Sequence, residues 1–289
     1  MCNSLFVANI VISIKGYMFT YRTALSIAGS DCSGGAGIQA DIKTMSALGV
    51  YAMTAITAIT VQNTCGVTEV QGIAPSIVYG QINAIFNDIR PMAVKTGMLF
   101  SADIVNAVAD ALIENRAENI VLDPVMVATS GDRLLSDDAI ATIIKRLIPL
   151  STVITPNINE AVVLTGTDDQ VLQSRRLHEM GAQTVLLKGG DRIDKTGISA
   201  DLLSLAPGQK LIPIESRRID TVNTHGTGCT LSSAIASFLA KGHEIHDSVI
   251  KAKNYIYEAL KAGAQIKTGA GHGPVNHLYS PVKLETINN

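Results

Sequence analysis

Residues 24–48 read ALSIAGSDCSGGAGIQADIKTMSAL, and the change of period inside this stretch decides the fold. Ala24 to Ala28 is a short apolar run closed by Gly29, the signature of a buried strand. Gly37 to Leu48 carries helical spacing. Between them Gly34, Gly35 and Gly37 place three glycines in four positions, which lets backbone approach a ligand or turn tightly. A second strand-like run, Ala52 to Val61, follows the helix, so the segment reads as one strand–turn–helix–strand unit of a parallel sheet.

The alternation continues outward. Helices are expected at Pro75 to Asp88, Ala102 to Asn115, Asp137 to Leu147, briefly from Asn159, and at Gln173 to Met180, Thr227 to Ala240 and Ile245 to Gln265. Strands are expected at Ala93 to Lys95, Asn119 to Leu122, Val153 to Thr155 and Thr184 to Leu187. Ile198 to Arg218, with Gly208 as its turn, breaks the alternation and reads as a hairpin at the sheet edge. The chain shows no repeats, low-complexity tracts or charge blocks. The expected architecture is therefore one α/β domain over residues 18–289, with a mostly parallel central sheet and helices on both faces. In such sheets ligands sit beyond the carboxyl ends of the strands.

A chain of 289 residues that is 47% hydrophobic is long enough for a full-sized core. Its formal net charge of -2 and scattered Lys and Arg form no basic stripe, which argues against nucleic acid. Leu5 to Ile14 is apolar but too short to span a bilayer and lacks a basic flank, so residues 1–17 read as an extension outside the fold. The four cysteines, Cys2, Cys32, Cys65 and Cys229, have neither zinc spacing nor a disulfide framework, which fits a reducing, cytoplasmic setting. A small metabolite is the expected partner.

Several motifs fall at strand ends. The turn from Gly29 to Gly37 is either a binding loop or a tight turn with no ligand; it is neither GxGxxG nor Walker A. Asn223 to Thr230, NTHGTGCT, precedes a helix of small residues, so the amides of Gly226, Thr227 and Gly228 gather where partial positive charge accumulates. Cys229 lies in that first turn, where a helix terminus is expected to lower its pKa from about 8.5; the alternative is an inert buried cysteine. Asp123 and Glu160 suit magnesium, and Asn157 suits a metal-bound water, although Pro156 ending a strand and Asn159 capping a helix are the structural alternatives. Lys188, in KGG, would meet a nucleotide phosphate or be solvated surface. The histidines look bland.

Taken together, the glycine-rich turn, DPV, TPNxNEA, KGG and NTHGTGCTLSSA, in this order, resemble the hydroxymethylpyrimidine and hydroxymethylpyrimidine-phosphate kinases of thiamin biosynthesis, members of the ribokinase superfamily. The likeness runs from about Tyr21 to the Gly273-Pro274-Val275 tail. It implies an ATP- and magnesium-dependent kinase with Cys229 as base and the amides of Gly226, Thr227 and Gly228 around the transferring phosphoryl group. It further implies that Gln62 and backbone at Gly29 and Ala36 hold the aminopyrimidine, with Met98 and Val125 as apolar walls. Asp41 would support the substrate or be a solvated helix residue. Lys188, Asn157 and Glu160 would face ATP, Asp123 and Glu160 the metal, and the chain would form a homodimer. Pyridoxal kinase is the enzyme alternative, and a precursor-sensing binding protein the non-enzyme one.

Overall fold

The computed structural model describes residues 19–126, 134–190 and 197–288; the expected extension at 1–17 lies outside them. The first half of the chain contains β1 (Phe19–Tyr21), β2 (Thr23–Ala28), α1 (Gly37–Ala47), β3 (Tyr51–Ile56), β4 (Ala58–Asn63), β5 (Gly66–Gly72), α2 (Pro75–Asp88), β6 (Ala93–Thr96), α3 (Ala102–Glu114) and β7 (Ile120–Leu122). The second half contains α4 (Asp137–Arg146), β8 (Val153–Ile154), α5 (Ile158–Thr165), α6 (Gln170–Glu179), β9 (Thr184–Leu187), β10 (Ile198–Ser204), β11 (Ile212–Arg217), α7 (Thr227–Ala240), α8 (Ile245–Gly263) and β12 (Thr286–Asn288).

Eight strands form the central sheet in the order β11-β10-β9-β8-β7-β6-β2-β3. Neighbours from β9 through β3 run parallel. The β10–β11 hairpin adds antiparallel to β9, as the break in alternation predicts. Local signals set the helix starts: Pro75 opens α2, the Ser101 hydroxyl accepts from the Ile104 amide at α3, and Asp169 accepts from Leu172 at α6.

Because side chains alternate along a strand, the sheet has one bulky face and one lean face. Leu25 and Ile27 of β2, Val94 of β6, Ile120 and Leu122 of β7, and Val185 and Leu187 of β9 point into a core shared with α2 and α3. Ala24, Ala93, Val121 and Leu186 point the other way, toward α7 and α8. Small residues on both partners let α7 lie close to this second face, and Ser232, Ser233, Ala234, Ala236 and Ser237 are all fully buried there. The sheet thereby presents the α7 N-terminus to the carboxyl ends of its strands.

The expected strand Ala52 to Val61 is in fact two. Regular parallel pairing with β2 ends at Ala28 and Ile56, beyond which only single backbone bonds, such as Ser30 N–H to the Ala58 carbonyl at 2.8 Å, join the two segments. Thr57 is fully buried and donates its hydroxyl to the Met98 carbonyl at 2.6 Å, marking the break. The chain then leaves the main sheet as β4, which pairs only with β5 in a separate antiparallel hairpin. β5 escaped the sequence reading because GVTEVQG is largely polar.

Candidate active site

Where the carboxyl ends of β2, β6, β7, β8 and β9 meet the starts of α1 and α7 lies a cleft of about 720 Å³. Its walls include Gly29, Ala36, Gln62, Met98, Asp123, Val125, Asn157, Glu160, Lys188, Gly226, Thr227, Gly228 and Cys229. Thus residues expected on either side of a transferred group border one cavity. Asp41 is the exception. Instead of touching substrate or solvent, it is fully buried beneath the floor, paired with Lys95 at 2.9 Å.

The two glycine-rich segments pack backbone to backbone. Gly226 has a positive φ of 81°, and a Cβ there would fall 1.8 Å from the Gly35 carbonyl oxygen; only glycine allows this approach. No side chain caps α7, so its leading amides have no intrahelical acceptor and face the cleft. Thr227 is a partial exception, donating to the Thr224 carbonyl at 3.3 Å.

The first glycine-rich turn is closed on itself. Asp31 accepts from the amides of Ser33, Gly35 and Ala36 at 2.7–3.0 Å and from the Ser33 hydroxyl at 2.7 Å. His225 Nε2 lies 2.8 Å from the same carboxylate. Burial opposes the charge, yet the His225 and Ser33 side chains and the amides hold Asp31 well below the usual carboxylate range. Since the carboxylate can only accept, Nε2 carries the proton. The expected backbone role of Gly29 and Ala36 is accordingly narrowed: the Gly29 amide donates to Met98 and the Ala36 amide to Asp31, although both residues line the wall.

Sequence reasoning passed over Asp31 and His225, which join the two specific motifs across 194 positions. The signal was present in both motifs, but no local pattern shows two residues that far apart to be neighbours. Gln62 is aimed by a register shift in β4 at Val61/Gln62, as a bulge re-aims a side chain. Its Nε2 lies 3.5 Å from His225 and its Oε1 3.1 Å from Thr60 Oγ1. The Cys32 thiol donates to the Gln62 carbonyl at 3.0 Å and ties the hairpin to the turn.

On the opposite wall, Lys188 is no solvated surface lysine. Its Nζ stands 2.8 Å from Asp123 and 3.9 Å from Glu160. Asp123 also accepts from Ser232 of α7 at 3.0 Å. Although burial resists its charge, Lys188 and then Lys95 hold Asp123 below the ordinary range. Glu160 is pushed up to about 7 by burial, with Asp123 adding to the rise and Lys188 opposing it. Asn157 and Glu160 form a complete capping box on α5, so the cap is Asn157 and not the expected Asn159, which lies inside the first turn.

The expectation of an acidified thiol is overturned. Burial pushes Cys229 up to about 11, and the nearby Lys95 charge and the Gly37 amide only partly offset it.

Asp123 and Glu160, two carboxylates on one wall of the cleft, fit magnesium, which takes one or two protein carboxylates and otherwise phosphate and water. Among the described residues no group of three His, Cys, Asp or Glu that could hold a metal ion is present.

Residues 31–276 match the family model described as phosphomethylpyrimidine kinase. The chain belongs to this family. It is 47% identical to the hydroxymethylpyrimidine/phosphomethylpyrimidine kinase of Rhizobium meliloti, over 89% of this chain and 97% of the relative. It is 46% identical to a thiamine biosynthesis bifunctional protein of Geobacter sulfurreducens, over 90% of this chain, and spans about half (53%) of that longer protein. Among solved structures, the ADP complex of Bacillus subtilis pyridoxal kinase superimposes with a TM-score of 0.80 at 37% identity, covering 89% of this chain and 98% of the other. Members of the family are phosphotransferases, and the fold is ribokinase-like. Among the described residues no helix is long and apolar enough to cross a membrane.

Proposed function

We propose that this chain phosphorylates 4-amino-5-hydroxymethyl-2-methylpyrimidine with ATP, and then phosphorylates the monophosphate to the diphosphate, in thiamin biosynthesis. The observation that carries this reading is the placement of Cys229 at an uncapped helix N-terminus in the same cleft as Gln62 and the Lys188–Asp123 pair. Gln62 offers a donor and an acceptor to the aminopyrimidine edge, while Met98 and Val125 supply apolar walls. This orients the hydroxymethyl group toward Cys229. Across the cleft, Lys188 meets the nucleotide phosphates, with Asn157 and Glu160 beside it.

Asp123 and Glu160 would hold magnesium, which when bound neutralises charge on the phosphates. Phosphoryl transfer depends chiefly on alignment and charge stabilisation, so the α7 amides contribute by fixing the γ-phosphoryl group in line with the acceptor. Cys229 accepts the hydroxyl proton as the new bond to phosphorus forms. Because its pKa is raised, only a small fraction is ionised near neutrality, and turnover is expected to rise with pH.

Pyridoxal is the competing acceptor, favoured by the likeness to the Bacillus subtilis enzyme. An ADP-release assay comparing the pyrimidine, its phosphate and pyridoxal, with products identified by mass, decides between them. Both pyrimidines should outpace pyridoxal in turnover per substrate concentration; preference for pyridoxal would reverse the assignment. We also infer a homodimer, supported by the exposed apolar residues Ile59 and Val61 on the β4–β5 hairpin.

A further inference from the structure

Beneath the floor of the cleft lies a charge network that the reaction above does not use. Lys95 on β6 is fully buried, on the lean face of the sheet where β2 and β6 otherwise present Ala24 and Ala93. Burying an ammonium costs several kcal/mol, and an apolar side chain of similar volume is often at least as stable. Packing alone therefore gives no reason for a lysine here.

Its partner, Asp41 of α1, is saturated. Lys95 Nζ lies 3.0 and 2.9 Å from its two oxygens, and the Ser26 and Ser233 hydroxyls donate at 2.5 and 2.6 Å. Ser233 is one helical turn beyond Cys229 on the same face of α7, so Asp41 anchors the network directly below the thiol. At the carboxyl end of β6, a Cβ on Gly97 would fall 2.8 Å from Lys95 Nζ and 3.0 Å from Ala28 Cβ. Ala28 is itself part of the cleft wall, which puts the ammonium just under the cavity.

We propose that Lys95 is a positioning residue for the transfer: its ammonium, locked to α7 through Asp41 and Ser233, supports the thiolate form of Cys229 that receives the acceptor's proton. This rests on the reading of Cys229 as the base. The acceptor O–H proton passes to the sulfur as the new O–P bond forms and the bond from the γ-phosphorus to the ADP oxygen breaks; the thiol afterwards returns the proton to solvent. The other charged groups near the sulfur are Asp41 from α1, Asp123 after β7 and Lys188 after β9. The Lys253 ammonium of α8 is tied to Asp201 and His225 to Asp31. Lys95 is the largest of the influences that favour the thiolate, and Asp41 the largest opposing charge.

Alkylation of the full-length chain by iodoacetamide at about pH 8, followed residue by residue by mass spectrometry, tests this because only the thiolate reacts. In Lys95→Met, Cys229 should react about tenfold more slowly, the effect of one nearby charge. The exposed Cys32 and Cys65 should keep their rates. Turnover should fall by a similar factor, with the KM for ATP unchanged within about twofold. A purely structural loss would loosen the cleft and speed alkylation. If Lys95→Met does not fold, Lys95→Gln, which keeps a hydrogen-bond donor for Asp41 but no charge, should slow Cys229 likewise. An unchanged or faster Cys229 rate in a folded variant overturns the proposal. Retained turnover in Cys229→Ala would instead reject the base assignment and leave the alkylation result standing.

Discussion

Asp31 shows how a single carboxylate can organise a site without touching the chemistry. It takes four hydrogen bonds from its own turn and one contact from His225, so it seals the first glycine-rich segment and joins it to the second. Its pKa is lower folded than unfolded. Its stabilising contribution is therefore complete above the unfolded value near ~3.9 and lost as pH falls through the lower folded value. Asp31→Asn should cost roughly 1–3 kcal/mol by urea denaturation at neutral pH, since buried donors lose their acceptor. The gap to wild type should hold at pH 5 and narrow below about pH 4; a gap independent of pH would mean that the charge is not what stabilises the turn. Residue identities at this site were legible in the motifs, whereas their electrostatics were not. Cys229 looked acidified from its helix position alone, but its partial burial among residues distant in sequence opposes the thiolate, which no local pattern shows.

Elements with strong periodicity were readable almost to the residue. The α2, β9 and α7 boundaries match the expected spans, because Pro75, a bounded apolar run and an uninterrupted small-residue helix are local signals. The β4–β5 hairpin was not, since β4 continues an apolar run begun in β3 and what separates them is the end of a distant partner, β2. A two-stranded hairpin is marginal alone, and β4 leaves Ile59 and Val61 43% and 52% exposed. If this face pairs two copies, light scattering on a sizing column should give twice the 30.5 kDa chain mass, and Ile59→Asp/Val61→Asp should halve it. A wild-type monomer, or a variant that stays paired, would remove this hairpin from the interface.

At the scale of the whole molecule, the parallel sheet with helices on both faces followed from the alternation that begins at residue 24, and ligand sites beyond strand ends followed from that topology. What the sequence could not supply was depth. Asp41 sits in a motif beside substrate-facing residues, yet one turn of helix carries it under the floor, where it meets Lys95 instead of solvent. The cleft unites acceptor, phosphate and metal residues only because α1 and α7 both begin at the same end of the sheet, with Gly35 and Gly226 in contact. The most direct measurement is ADP release by wild type and Cys229→Ala with the hydroxymethylpyrimidine, alongside ATP binding to each. Turnover should drop at least tenfold, within the ~10²–10⁴ range of a positioned base, while ATP binding stays the same. Equal turnover in the two proteins would contradict the account.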